Sequence, residues 1–286
     1  YTGQVLNIGN LALKISGGGE FKNTNNLTID NTGSILSISD STKVSRVLVS
    51  ASSAGNGMTI SNSAASAGNL VESLQLSSSL SVTSDAAWKV GSMTAGAALT
   101  FSNDKNLSIG SLSLTGSAEM SLGVSDITVS VTNPVSAVSP QIIRNGGGSL
   151  NFIGGLTLAT GSELIGQGQQ VTGNIALSGG KLTAEQDTAF PGNISVSAGS
   201  TSAIHIASSK ALTYGGQAVD LGASKLKIQG GGSFVNTGTT PIKLDDAGSG
   251  LELDNVIVSN VSVTAASIQG ILEASNDSTV SNLSLD

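Results

Sequence analysis

The 286-residue chain has 12 Lys and Arg against 19 Asp and Glu, giving a net charge of −7, and only 11% of its residues are charged. This composition excludes a nucleic-acid partner and disfavours an anionic membrane surface, because phosphate binding needs a basic surface. No apolar run reaches the length of a membrane span, so we expect no membrane insertion. Frequent Val, Ile and Leu distinguish the chain from a disordered one and predict a folded protein with a neutral, hydroxyl-rich exterior.

Cysteine is absent from the chain. Secreted eukaryotic domains often carry disulfides, so we expect a bacterial protein that is secreted or held at the cell surface. The sequence begins at Tyr1, which we expect to reflect removal of a signal peptide or a fragment of a longer protein.

Residues 1–26 are expected to form an N-terminal cap and the first coil of a solenoid. Leu11, Leu13 and Ile15 alternate with other residues, and a period of two predicts a strand. The preceding residues are expected to close the open end of the stack, because an uncovered strand edge recruits other chains.

Residues 27–286 repeat one short pattern, in which two apolar residues flank a polar one and Ser, Gly, Asn or Asp follows. The clearest pairs are Leu27/Ile29, Leu36/Ile38, Val47/Val49, Met58/Ile60, Leu107/Ile109, Leu112/Leu114, Leu150/Phe152, Ile204/Ile206, Leu226/Ile228, Val256/Val258 and Val261/Val263. Short strands joined only by turns predict an all-β solenoid with coils of about 20 to 30 residues. Because the spacing is irregular, we predict a right-handed parallel β-helix that forms a single elongated domain.

Residues 131–149 interrupt this rhythm. Pro134, Pro140 and the run Gly146–Gly148 lie close together there, and proline cannot donate to a strand ladder. The segment could be a joint between two halves, but we favour a Pro/Gly-rich loop that protrudes from the stack.

The stretch 251–286 contains Asn255 and Asn260, each placed where a short strand is expected to end. In a stack of coils, such asparagines can align between rungs and hydrogen-bond one another's amides. The string LELDNVIVSNVSV at 251–263 resembles a coil of the pectate-lyase-like parallel β-helix proteins. Strings such as SGGGEF and LTLATGSELIGQGQ resemble autotransporter passengers and filamentous bacterial adhesins. Neither resemblance assigns a functional residue.

Asp245 and Asp246 are the best acidic pair, and paired carboxylates can bind Ca²⁺ or act as acid and base. We favour a solvated turn there, and so expect no catalytic residue, no metal site and no cofactor, with Ca²⁺ at this pair as the one alternative. The sole histidine, His205, lies between two core isoleucines and is expected to point outward from its strand. Arg46 and Arg144 are the only arginines, and they are too far apart in sequence to be expected together.

Trp88 and Tyr214 occupy strand positions of the apolar set, so we expect both in the core rather than on a sugar-binding platform. The binding residues are unknown from the sequence.

We therefore expect a non-catalytic extracellular surface protein, adhesin-like or structural, that is not an enzyme. Its neutral Ser/Thr/Asn-rich face would bind a protein or glycan on a host or neighbouring cell. One alternative is a carbohydrate-active β-helix enzyme, a polysaccharide lyase or glycoside hydrolase, with its site around Asp220, Asp245, Asp246 and Asp254. Another is a self-associating subunit of a surface layer or filament.

Overall fold

A computed structural model gives the architecture of most of the chain. It describes residues 2, 4–30, 33–49, 57–61, 69–84, 87–101, 106–122, 127–237, 241–263 and 271–285. The chain divides into two compact units, unit 1 with Tyr1–Val135 and Gly146–Asn151, and unit 2 with Ser136–Asn145 and Phe152–Asp286.

The described residues form strands joined by turns, with no helix among them. The first fourteen strands are β1 Leu6–Asn7, β2 Ala12–Ile15, β3 Glu20–Phe21, β4 Leu27–Ile29, β5 Ile35–Ser39, β6 Lys43–Val49, β7 Gly57–Ser61, β8 Asn69–Leu76, β9 Leu80–Ser84, β10 Trp88–Ala95, β11 Leu99–Phe101, β12 Leu107–Leu114, β13 Glu119–Ser121 and β14 Thr128–Val131. The others are β15 Val135–Ala137, β16 Ile142–Arg144, β17 Ser149–Ala159, β18 Glu163–Gly166, β19 Val171–Ser178, β20 Lys181–Ala184, β21 Thr188–Phe190, β22 Ile194–Val196, β23 Thr201–Ile206, β24 Ala211–Tyr214, β25 Val219–Asp220, β26 Lys225–Gln229, β27 Ser233–Asn236, β28 Ile242–Leu244, β29 Gly250–Asp254, β30 Ile257–Val263, β31 Ile271–Ser275 and β32 Thr279–Leu285.

The strands stack as parallel ladders, so the prediction of a parallel β-solenoid is confirmed, with about 11 turns. In unit 1, one ladder runs β1-β4-β6-β8-β10-β12-β14 and another runs β2-β5-β7-β9-β11-β13. In unit 2, which contains all of β17 except its first three residues, the ladders are β17-β19-β22, β16-β18-β20-β23-β26-β29-β31 and β21-β24-β27-β30-β28-β25. Partners on adjacent rungs are separated by as few as 18 residues, from Leu164 to Leu182, and by as many as 27, from Val47 to Leu74.

The apolar residues of the repeated pattern form the core. Nearly all of those named above are buried, and in β12 the inward Leu107 and Ile109 are fully buried while Ser108 between them is exposed. Leu11 is an exception, being 68% exposed ahead of β2. The side chains of Leu99, Phe101, Val263 and Leu285 lie outside the described part of the chain.

Some expected rungs are parts of one longer strand. Leu107/Ile109 and Leu112/Leu114 both lie in β12. Val258, Val261 and Val263 all lie in β30, and Val256 lies just before it. Asn260 therefore lies inside β30 rather than at a strand end, and its φ of 59° bends the strand there. Asparagine tolerates this left-handed conformation better than most residues.

The expected asparagine ladder is present between the last two rungs. Asn282 donates its side-chain amide to Oδ1 of Asn260 at 3.0 Å. Asn282 also has a positive φ, of 60°, so the two rungs bend at matching points. Asn255, with a φ of 51°, lies in the turn between β29 and β30.

The segment expected to be a protruding loop is partly strand, because it contains β15, β16 and the start of β17. Val135, Ala137 and Ile143 are buried and continue the alternating pattern, while Pro134 and Pro140 are exposed just outside the strands. The boundary between the two units also falls in this segment. At the chain start, β1 and β2 pair with β4 and β5, so residues 1–26 contribute rungs to the ladders.

Candidate functional site

Unit 2 brings three aspartates together at the ends of two stacked strands. Asp220 is the last residue of β25, and Asp245 and Asp246 follow β28 directly. Val219 and Asp220 pair with Ile242 and Lys243, so the turns after these strands are stacked. One carboxylate oxygen from each aspartate lies within 4.8 Å of the other two.

The surroundings of these carboxylates differ. Asp220 accepts a hydrogen bond through Oδ1 from the backbone N–H of Gly222 at 2.9 Å. Oδ1 of Asp245 is buried and has no hydrogen-bond partner among the described residues. Asp246 is exposed, and its backbone carbonyl accepts from the hydroxyl of Ser249 at 2.8 Å. Three such oxygens suit a hard cation such as Ca²⁺, which prefers oxygen ligands, and without a cation they repel one another.

Asp254, the fourth aspartate of the enzyme hypothesis, is not part of this group. Its carboxylate contacts Nζ of Lys227 at 3.2 Å and accepts from the side-chain amide of Asn276 at 2.7 Å. The hydrogen bond from Asn276 and the nearby Lys227 lower the pKa of Asp254. These two partners keep it an ionised member of a surface charge network.

His205 points outward from β23, as predicted from the buried Ile204 and Ile206 on either side. Its side chain is partly covered, and burial is the main cause that lowers its pKa, with Lys181 acting in the same direction. Burial therefore favours the neutral form of His205.

The two arginines belong to different units and have different neighbours. Arg46 pairs in register with Ser73, whereas Arg144 lies 3.6 Å from a carboxylate oxygen of Glu185.

Both large aromatic residues lie in the core, as predicted. Trp88 is 2% exposed and Tyr214 is fully buried. The Tyr214 hydroxyl donates to the carbonyl of Gln217 at 2.6 Å and accepts from the N–H of Ile194 at 3.2 Å. Neither ring can therefore stack on a sugar in solution.

The outer face of unit 1 carries ordered columns of small polar side chains. Ser73, Ser92 and Ser111 are in register on β8, β10 and β12. Beside them, Gln75, Thr94 and Ser113 form a second column on the same three strands. Adjacent rungs of a sheet are about 4.8 Å apart, so these groups repeat at that interval. We call these six residues, five with a hydroxyl and Gln75 with an amide, the hydroxyl face.

Sequence reasoning missed a groove on the outer face of unit 2. Gly250 lies in register between Lys225 and Ile271, and the groove that it opens has a volume of about 420 Å³. The sequence gives one signal for this groove, which is a glycine at a strand position that faces outward. Only the register between coils shows that Lys225 and Ile271 lie on either side of this glycine.

Searches against protein-family models, curated proteins and solved structures find no match to this chain. The part of the chain that the structure describes also contains no helix capable of crossing a membrane.

Proposed function

We propose that this chain is a non-catalytic extracellular surface protein of a bacterium, adhesin-like or structural, that binds protein or glycan partners through the hydroxyl face. The observation that supports the proposal is the registered stacking of Ser73, Ser92 and Ser111 beside Gln75, Thr94 and Ser113. Each hydroxyl both donates and accepts, so a repeating partner can form many weak hydrogen bonds at once. The low charge of the chain fits such contact, because it avoids strong nonspecific attraction.

To test the proposal, beads coated with the chain are passed over panels of purified glycans and extracellular proteins, and the fraction of beads retained is measured. We expect saturable retention of beads that carry the chain. The double substitution Ser92→Lys with Ser111→Glu removes two hydroxyls while leaving the net charge unchanged, and it should reduce retention at least fivefold.

The matched control is Ser195→Lys with Thr213→Glu on strands of unit 2, which should leave retention within twofold of the parent. Equal loss in both double variants, or no retention of the parent on any surface, would remove the support for this function.

A second candidate function is that of a carbohydrate-active enzyme, which the grouping of Asp220, Asp245 and Asp246 favours. Paired carboxylates serve as acid and base in glycoside hydrolysis, and Ca²⁺ can hold an acidic polysaccharide against carboxylates. Incubation with acidic polysaccharides, with and without Ca²⁺, should release no new chain ends if our first proposal is right. Turnover that is lost in Asp245→Asn would instead support the enzyme.

The third candidate, a self-associating surface layer or filament, is separated from the others by light scattering with added Ca²⁺. A monomeric adhesin keeps a constant apparent mass in this measurement, whereas an assembling subunit gains mass.

A further inference from the structure

The groove of unit 2 is built by three registered positions on successive rungs. Lys225 on β26, Gly250 on β29 and Ile271 on β31 share one outward column. Since glycine has no side chain, the middle position is a gap between a lysine and an isoleucine that is 53% exposed. The volume of about 420 Å³ lies within the range of ligand pockets, about 300–1,000 Å³. We call this gap the Gly250 groove.

The charges along the groove are of both signs. Lys227 is already engaged, because its Nζ lies 2.6 Å from Glu252 and 3.2 Å from Asp254. Lys225 and Glu273, which also line the groove, are exposed and form no ion pair with any described residue. The groove therefore offers one free ammonium group and one free carboxylate.

Register fixes the spacing of these two charges. Glu273 lies two rungs beyond Lys225 and two residues along the strand. With rungs about 4.8 Å apart and about 3.3 Å per residue, the two Cα atoms are about 12 Å apart. An extended peptide advances about 3.3–3.6 Å per residue and alternates its side chains between two faces, so side chains four positions apart share a face and span roughly 14 Å. Flexible lysine and glutamate side chains can bridge the remaining difference.

The lining favours a polypeptide over a saccharide. An exposed aromatic side chain would give a sugar ring a flat face to stack on, and the groove contains none among its described lining residues. Ile271 instead offers an aliphatic surface that suits the methylene stem of a lysine or arginine. Opposite free charges at the two ends complement a segment that itself carries both signs.

We propose that the Gly250 groove binds an extended polypeptide segment of mixed charge, whose acidic side chain pairs with Lys225 and whose basic side chain pairs with Glu273. The inference rests on the proposed function, since it names a partner class for a surface-binding protein, but it concerns a different face. Exposed ion pairs are individually weak, so a single segment binds weakly and multivalent display strengthens it.

The test uses the whole chain, isotope-labelled at isoleucine methyl groups, titrated with the peptide acetyl-Glu-Ser-Ser-Ser-Lys-amide and followed by NMR. We expect a saturable shift of the Ile271 methyl resonance that weakens as salt is added. Lys225→Met and Glu273→Gln should each weaken binding about threefold, as expected for the loss of one exposed ion pair. Lys210→Met, which removes a half-buried lysine outside the groove, should change it less than twofold.

Filling the groove gives a second test that leaves both charges in place. Gly250→Thr places a side chain in the gap, and the nearest atom that its Cβ meets is Cγ of the flexible Lys225, at 3.2 Å. The variant should keep the parent circular dichroism spectrum and melting temperature yet lose the peptide-induced shift.

The inference is overturned if the peptide produces no saturable shift, or if Lys225→Met and Lys210→Met behave alike. It also fails if a neutral oligosaccharide shifts the Ile271 methyl resonance while the peptide does not. If bead retention depends on Ser92 and Ser111 but the peptide does not shift the Ile271 methyl resonance, only the groove inference is refuted. If the peptide shifts the Ile271 methyl resonance through the groove but the beads are not retained, only the hydroxyl-face proposal is refuted.

Discussion

The outward residues of β10 and β12 in unit 1 differ from those of β26 and β29 in unit 2, although the inward residues of the two pairs are alike. Inward positions on β10 and β12 of unit 1 and on β26 and β29 of unit 2 are buried and almost entirely apolar. Outward positions on the unit 1 strands are mostly Ser, Thr and Gly, whereas those on the unit 2 strands include Lys225, Lys227, Glu252 and Asp254.

This difference shows that folding and recognition use alternate residues of the same strands. Burying an aliphatic side chain contributes about 1.5–3 kcal/mol, whereas an exposed polar side chain contributes little to stability. The outer columns are therefore free to vary from one part of the chain to another, and each unit can present a different surface.

The largest effect is expected from a charge placed on an inward position. Ile109→Asp in unit 1 and Val258→Asp in unit 2 should each lower the unfolding free energy by about 4 kcal/mol or more, because a buried unpaired charge has no solvation. Urea denaturation followed by circular dichroism measures the loss. The outward controls Ser108→Asp and Ser262→Asp should change the unfolding free energy by no more than about 0.5 kcal/mol. Comparable losses of unfolding free energy at inward and outward positions would contradict the view that inward residues serve folding and outward residues serve recognition.

A smaller effect should distinguish two outward glycines. A Cβ at Gly110 would lie 2.4 Å from the carbonyl oxygen of Gly91, whereas one at Gly250 would meet only the flexible Lys225 at 3.2 Å. Gly110→Ala should therefore cost about 1–3 kcal/mol through backbone shifts, while Gly250→Ala should be neutral or slightly stabilising. Thermal melts of the two variants measure the difference, and equal melting temperatures would show that the unit 1 ladder is not tightly packed at Gly110.

Tyr214 should make unit 2 sensitive to alkaline pH. Burial raises the pKa of its hydroxyl, with the hydrogen bond from Ile194 opposing this in part. A raised folded-state pKa means that the associated stability is fully present below the ordinary value of about 10 and is lost as the pH rises through the folded value.

Tyr214→Phe should cost about 1–2 kcal/mol at neutral pH, because Gln217 and Ile194 lose their partner. The variant should also lose less stability than the parent above about pH 10. Urea denaturation at several alkaline pH values measures both effects, and parallel pH profiles would contradict the buried, neutral phenol.

The smallest effect concerns the three grouped aspartates. If they form a solvated turn, Asp246→Asn should raise the unfolding free energy by no more than about 0.5 kcal/mol, by relieving repulsion, and most at low salt. Millimolar CaCl₂ should then leave the melting temperature of the parent unchanged. A Ca²⁺-dependent rise in the parent that disappears in Asp246→Asn would instead identify a cation site.

The alternating pattern was sufficient to predict the solenoid, the core and the outward position of His205, because these depend only on neighbours in sequence. It could not show that Leu107/Ile109 and Leu112/Leu114 share one strand, since the alternation changes phase at Gly110 and Ser111 without ending the strand. From the sequence, a site that joins Asp220 with Asp245 and Asp246 is only one alternative, because contacts between coils depend on register. Register varies with each turn length, so the Gly250 groove was also beyond sequence reasoning.

The number of residues per coil varies, but the strands of successive coils still pair in register. This tolerance of different coil lengths has an evolutionary consequence. Each rung needs only a suitable rung on either side, so a whole winding can be duplicated or deleted by in-frame recombination with little disturbance beyond the junction. A lineage could thereby lengthen or shorten such a chain quickly and shuffle exposed stripes into new orders while the aliphatic interior remains continuous.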